Sequence, residues 1–163
     1  MIQKLKIGNF ALCSPAFEHG EPIPRRYAGD GENVAPPLEW AGVPVGAKAF
    51  AVVVHDPDAP LVDGFVHWVA YRIPETAVAL PEGGGATIAG VNSFGYTRYD
   101  GPGPPPGHGI HHYYFWIYAL DEDLPLAPGL DRLSLLSQIE DHVIEQARLI
   151  GRISMTCTKG AAP

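Results

Sequence analysis

Apolar and polar positions along this chain alternate in short bursts, and proline or glycine ends nearly every burst. Leu5, Ile7, Phe10 and Leu12 lie at strand-like spacing within Gln3–Leu12. The next stretch, Pro15–Pro37, is broken by Pro22, Pro24, Gly29, Gly31, Pro36 and Pro37 and reads as long surface loops. Lys48–His55 (KAFAVVVH) has the continuous apolar character of a buried strand, stopped by the turn sequence Asp56-Pro-Asp-Ala-Pro60. Phe65–Ile73 predicts a further strand, closed by Pro74. A glycine-rich turn at Glu82–Ala86 precedes a weak strand around Thr87–Asn92. The strongest strand is His112–Leu120, where aromatic and β-branched residues run together.

One segment reads differently. Leu136, Ile139, Val143, Ala147 and Ile150 recur at helical spacing over Ser134–Ile150, with Ser137 and Glu140 spaced as a capping box. Gly151 would end that helix, Ile153–Thr158 would form a last strand, and Lys159–Pro163 would be a frayed tail. Short strands divided by turns predict a mainly β fold, an antiparallel Greek-key β-sandwich, with helical structure near the C-terminus. The 163 residues suit a single domain over 1–163.

Composition narrows the functional classes. With 11 Lys and Arg against 18 Asp and Glu, the formal charge is −7, and the basic residues form no run. Nucleic acid and anionic membranes are therefore disfavoured partners, and no apolar stretch predicts a membrane span or secretory leader. The expected location is the cytoplasm, with Cys13 and Cys157 as unconnected buried thiols.

Candidate chemistry gathers around the segment Tyr99–Leu120. Its first half, YDGPGPPPGHG, is a loop stiffened by proline, and it feeds directly into the aromatic strand. Alternation puts His111 and Tyr113 on one face of that strand and His112 on the other. On the Phe65–Ile73 strand it groups His67 with Val69 and Tyr71, opposite Val66, Trp68 and Ala70. Asp56 ends a buried strand. Together Asp56, His67, His111 and Tyr113 supply two imidazoles, a phenol and an orienting carboxylate, a donor set suited to an anion. Gly101 and Gly103 allow close approach of backbone N–H groups. His55, His108, His112 and His142 are assigned to structure or solvent. A metal site built from Asp and His is the competing reading, and so is a hydrolase or lyase using Asp56 with His67 or His111. No nucleophile elbow, Walker loop or dinucleotide fingerprint is present, and no cofactor is expected.

Read together, these blocks resemble the phosphatidylethanolamine-binding protein family, also called Raf kinase inhibitor-like proteins, in its bacterial and archaeal branch. The matching pieces are Asp30-Gly-Glu-Asn33, Pro36-Pro-Leu-Glu-Trp40, Val54-His-Asp-Pro-Asp-Ala-Pro60, Gly64-Phe-Val-His-Trp-Val69, the loop from Gly101 through Tyr113, and Tyr118-Ala-Leu-Asp121. The resemblance implies a β-sandwich with a small pocket for phosphate-type anions, lined by Asp56, His67, Gly103, Pro104, His111 and Tyr113. The donor set at His67, His111 and Tyr113 without a nucleophile points to a non-catalytic role, with a phosphorylated small molecule, headgroup or protein segment as ligand, and the resemblance suggests a kinase or protease as partner. Four positions depart from the family pattern: His112 replaces the usual arginine, glycine stands at 29 and 103 where many bacterial relatives carry cysteine, and Asp141 replaces a frequent glycine. The loops Glu18–Arg26 and Glu82–Ala86 are candidate contacts for a homodimer.

Overall fold

A computed structural model describes residues 6–155. Among these residues eight strands form two sheets, and all their pairings are antiparallel. The smaller sheet has the order β1-β2-β5, from β1 (Ala11–Cys13), β2 (Leu38–Ala41) and β5 (Ala79–Leu80). The larger has the order β6-β4-β3-β7-β8, from β3 (Ala49–Asp56), β4 (Phe65–Pro74), β6 (Ile88–Ala89), β7 (Ile110–Leu120) and β8 (Val143–Ser154). This is the mainly β, two-sheet antiparallel architecture that the punctuated pattern predicts.

Burial on both faces explains why β3 reads as one apolar run. Phe50, Val52 and Val54 meet Leu12, Leu38 and Trp40 of the small sheet, and Phe10 just before it, in the inter-sheet core. Ala51 and Val53 face the other way, onto Leu135 and Ile139 of helix α1 (Arg132–Ile139). A central strand covered on both sides has no polar face to alternate with.

The C-terminal third corrects the sequence reading. The helix stops at Ile139, passes through a 3-10 turn at Glu140–His142, and gives way to β8. Its cap is Asp131, whose carboxylate accepts from the Ser134 N–H at 2.7 Å, rather than Ser137 with Glu140. The region from Val143 to Ile150 is strand, paired with β7 from Tyr114 to Leu120. Gly151 lies inside that strand instead of ending a helix. A Cβ there would lie 2.4 Å from Ile23 Cγ1 and 2.8 Å from a Phe17 ring carbon, so the close approach requires glycine.

Smaller differences follow from short elements and loops. Among the described residues the N-terminal strand is Ala11–Cys13, with the Gln3–Leu5 part of the expected strand outside them, and the Thr87–Asn92 strand narrows to Ile88–Ala89. Within the proline-broken Pro15–Pro37 region lie a 3-10 turn at Arg25–Tyr27 and buried Phe17, Ile23, Tyr27 and Ala35, so these loops also close the core. Cys13 is exposed on β1 rather than buried, because the strand turns Leu12 inward and its neighbours outward. Cys157 and the tail at 159–163 lie outside the described residues. No helix among the described residues is long and apolar enough to cross a membrane.

Candidate functional site

At one end of the large sheet β3, β4 and β7 deliver polar side chains into a single cleft of about 520 Å³. Each arrives for a local reason. Asp56 is the last residue of β3, and its Oδ1 accepts from the Asp58 N–H at 2.8 Å, so the Asp-Pro-Asp turn forms around its own carboxylate. His111 and Tyr113 sit two apart on β7 and are 2% and 0% exposed, while His112 points outward. There His112 bonds Asp58 through its backbone N–H and its ring, both at 2.8 Å. Burial raises the proton affinity of Asp58, but these bonds from His112 outweigh it and hold the carboxyl below its ordinary range.

His67 reaches the cleft by a route that simple alternation misses. Val54 pairs with Trp68, but His55 pairs with Val66, so β4 carries one extra residue at His67. This β-bulge shifts the pleat. Trp68 and Ala70 stay in the inter-sheet core and Val69 and Tyr71 in the helix-side core, while His67 turns to pack 5.3 Å from the Tyr113 ring and 4.8 Å from the Phe65 ring. The expected grouping of His67 with Val69 and Tyr71 is therefore replaced by a grouping with Phe65 and Tyr113.

Hydrogen bonds fix the tautomers. His67 Nδ1 is 2.7 Å from the Asp100 carbonyl oxygen, which only accepts, so Nδ1 carries the proton. The other ring nitrogen has no protein partner among the described residues. Burial lowers the proton affinity of His67, against the smaller raising pull of the Asp100 bond and the Asp56 charge, so the ring is neutral near pH 7. His111 Nδ1 lies 2.7 Å from Asp56 Oδ2, which places a proton there too. The Tyr113 hydroxyl is buried with no hydrogen-bond partner among the described residues. Burial, reinforced by the charges of Asp56 and Asp58, raises its pKa far above the phenol range, so it remains a neutral O–H donor.

The backbone wall of the cleft is held by Asp100. Its carboxylate accepts from Asn92 Nδ2 at 2.8 Å, Asn33 Nδ2 at 3.2 Å and Arg98 Nε at 3.1 Å. Its N–H donates to the His67 carbonyl at 3.0 Å, and Asn33 Oδ1 accepts from the Gly101 N–H at 2.6 Å. Gly101 packs so tightly that a Cβ would lie 2.1 Å from the Tyr27 carbonyl oxygen. Gly103 is exposed and unobstructed at the rim, beside buried Pro104. Ala59, Pro60, Leu61, Phe65 and Phe94 complete an apolar wall.

All six candidate residues thus line one cleft: Asp56, His67, Gly103, Pro104, His111 and Tyr113. Three contributors escaped the sequence reading. Asn33 and Asp100 are ordinary loop residues whose pairing spans 67 positions. His108, assigned to structure or solvent, lies with Nδ1 2.6 Å from His111 Nε2, and the only sequence signal was its three-residue separation from that histidine. His55 and His142 fit structural roles, at 2.7 Å from the Asp63 carbonyl and 2.8 Å from Asp121 Oδ1.

An antiparallel two-sheet sandwich with a preformed, imidazole-lined cleft at one end of its larger sheet defines the class of this protein. Comparison with known proteins makes the class specific. The family model described as phosphatidylethanolamine-binding protein matches residues 13–154, and the chain belongs to that family. It is 41% identical over 146 residues to a UPF0098 protein of Pyrococcus horikoshii, covering 85% of this chain and 73% of the relative. Its fold is similar to the crystal structure of a putative phosphatidylethanolamine-binding protein homolog from Chlamydia trachomatis, with TM-score 0.85, 36% identity, and coverage of 90% of this chain and 99% of that one. It is also similar to E. coli YBCL, described as a new member of the mammalian family, with TM-score 0.85, 29% identity, and coverage of 91% and 99%.

Proposed function

We propose that the cleft binds a phosphate-type anion without catalysing a reaction on it, with the rest of the ligand lying against the apolar wall. The observation that carries this reading is the Tyr113 hydroxyl, a buried donor beside two imidazoles with no acceptor among the described residues. An unpaired buried hydroxyl costs about 1–3 kcal/mol, and an acceptor from outside removes that cost. His67 adds a ring nitrogen free to take a proton and donate, and the exposed backbone at Gly103 offers approach without a Cβ.

The same geometry favours binding over hydrolysis. Both oxygens of Asp56 and both nitrogens of His111 already have partners, so neither is poised to activate water. Among the described residues no group of three His, Cys, Asp or Glu side chains is arranged to hold a metal ion. The proposed ligands are a phosphorylated small molecule, a headgroup, or a phosphorylated or acidic protein segment. In the last case the cleft is the contact through which a kinase or protease would be inhibited.

Titrating inorganic phosphate and phosphoethanolamine while following histidine side-chain NMR tests the reading. Signals of His67 and His111 are expected to move and saturate, with tighter binding at lower pH as His67 gains a proton. Signals that stay fixed at high millimolar ligand would remove the proposal.

A further inference from the structure

His108 stands beside the cleft on a loop rather than a strand, in contact with the lining residue His111. It stands between Gly107 at φ 77° and Gly109 at φ 87°, and a Cβ on either glycine would meet nothing within 4 Å. The segment therefore combines a backbone conformation natural to glycine with open space on both sides. Its ring is on the protein surface, yet its Nδ1 lies 2.6 Å from His111 Nε2, with ring centroids 4.9 Å apart at 62°.

That contact uses the last polar atom His111 has. Asp56 accepts the Nδ1 proton of His111, so Nε2 is the atom left to face His108 Nδ1, accepting from its N–H or, when protonated, donating to its lone pair. An anion taking His111 as a donor needs the same nitrogen, now carrying a proton. A single N–H there can donate to the His108 Nδ1 lone pair or to the anion but not fully to both, so His108 and the anion compete for one place.

We propose that His108 is an internal ligand of His111: a glycine-flanked imidazole that occupies Nε2 while the cleft is empty and is displaced when an anion binds. The inference rests on the anion-binding reading above and adds a residue that sets its strength. Displacing the ring breaks one hydrogen bond before the ligand bond forms, so affinity in the native protein is held below what the other donors alone would give.

The test measures phosphate affinity at one pH for the wild type, His108→Ala and His108→Asn. Releasing the competitor should tighten phosphate binding by about fivefold in His108→Ala, the equivalent of one ordinary hydrogen bond. The amide N–H of His108→Asn can still donate to His111 Nε2, so this variant should remain close to wild type. In the wild type, the ¹⁵N signal of His108 Nδ1 should move from a hydrogen-bonded to a free position as phosphate saturates. Weaker binding in His108→Ala would make His108 a donor to the anion and overturn the proposal. Equal affinity in wild type and His108→Ala would also overturn it while leaving the anion reading intact. No phosphate binding by either protein would overturn both.

Discussion

Removing the Tyr113 hydroxyl should stabilise this protein while damaging its ligand affinity. Ordinary Tyr→Phe substitutions in a core lose a hydrogen bond. Here the ring is fully buried and the O–H has no partner among the described residues, so Tyr113→Phe loses none. It removes instead the desolvation penalty of a buried, unpaired polar group, about 1–3 kcal/mol, less a small cost for the space the oxygen leaves. A net gain of about 1 kcal/mol is expected, which at this chain length raises Tm by about 2–4 °C. Urea unfolding of the ligand-free protein should show the same gain as a higher midpoint at unchanged slope. Phosphate affinity should move the opposite way. A hydrogen bond to a charged group is worth about 1.5–3 kcal/mol, so binding should weaken by at least about tenfold. A ligand-free Tyr113→Phe protein that unfolds more easily than wild type would refute the reasoning, because the hydroxyl would then have a partner of its own.

Other predictions test the supports of the cleft. Asp56→Asn removes the charge-assisted bond to His111 and should cost about 2 kcal/mol in urea unfolding, with the His111 ring signal shifted. Gly101→Ala should cost about 1–3 kcal/mol because its Cβ meets the Tyr27 carbonyl, whereas Gly103→Ala, with nothing within 4 Å, should stay within about 0.5 kcal/mol of wild type. Burial lowers the proton affinity of His67 in the folded state, so the unfolded chain binds the proton first as pH falls. Stability from this group is complete above the ordinary imidazole range and is lost as pH drops toward the lower folded-state value. Between pH 7 and pH 5 the urea midpoint of the ligand-free wild type should fall more steeply than that of His67→Asn.

The parts legible in the sequence were those governed by a single period. On β7 the alternation of His111, Tyr113, Phe115 and Ile117 runs unbroken, and the cleft and core faces followed from it. The extra residue in β4 was invisible, because a bulge is set by pairing with β3 and nothing in the local string from Phe65 to Val69 marks it. The segment after Ile139 misled for a different reason. Most residues of β8 are half-buried, covered by β7 on one side and along part of the other by the loop around Gly20–Ile23, which bonds to Ile150 and Arg152. Such a strand presents no strictly dry or wet face, and Val143, Ala147 and Ile150 fall at helical spacing without forming a helix. Asn33 and Asp100 stayed hidden because loop polar residues acquire meaning only from partners far along the chain.

The Asp100 clamp makes the cleft a property of its loops as much as of its strands. One carboxylate ties residues 33, 92 and 98 together, while its main chain grips the histidine on the neighbouring bulge. Transplanting Asp56, His67, His111 and Tyr113 onto another sandwich would move the visible chemistry without the keystone that aligns it. The smallest portable unit therefore includes the segments at 29–33 and 92–101, and an engineer who left them behind would inherit histidines with no fixed aim.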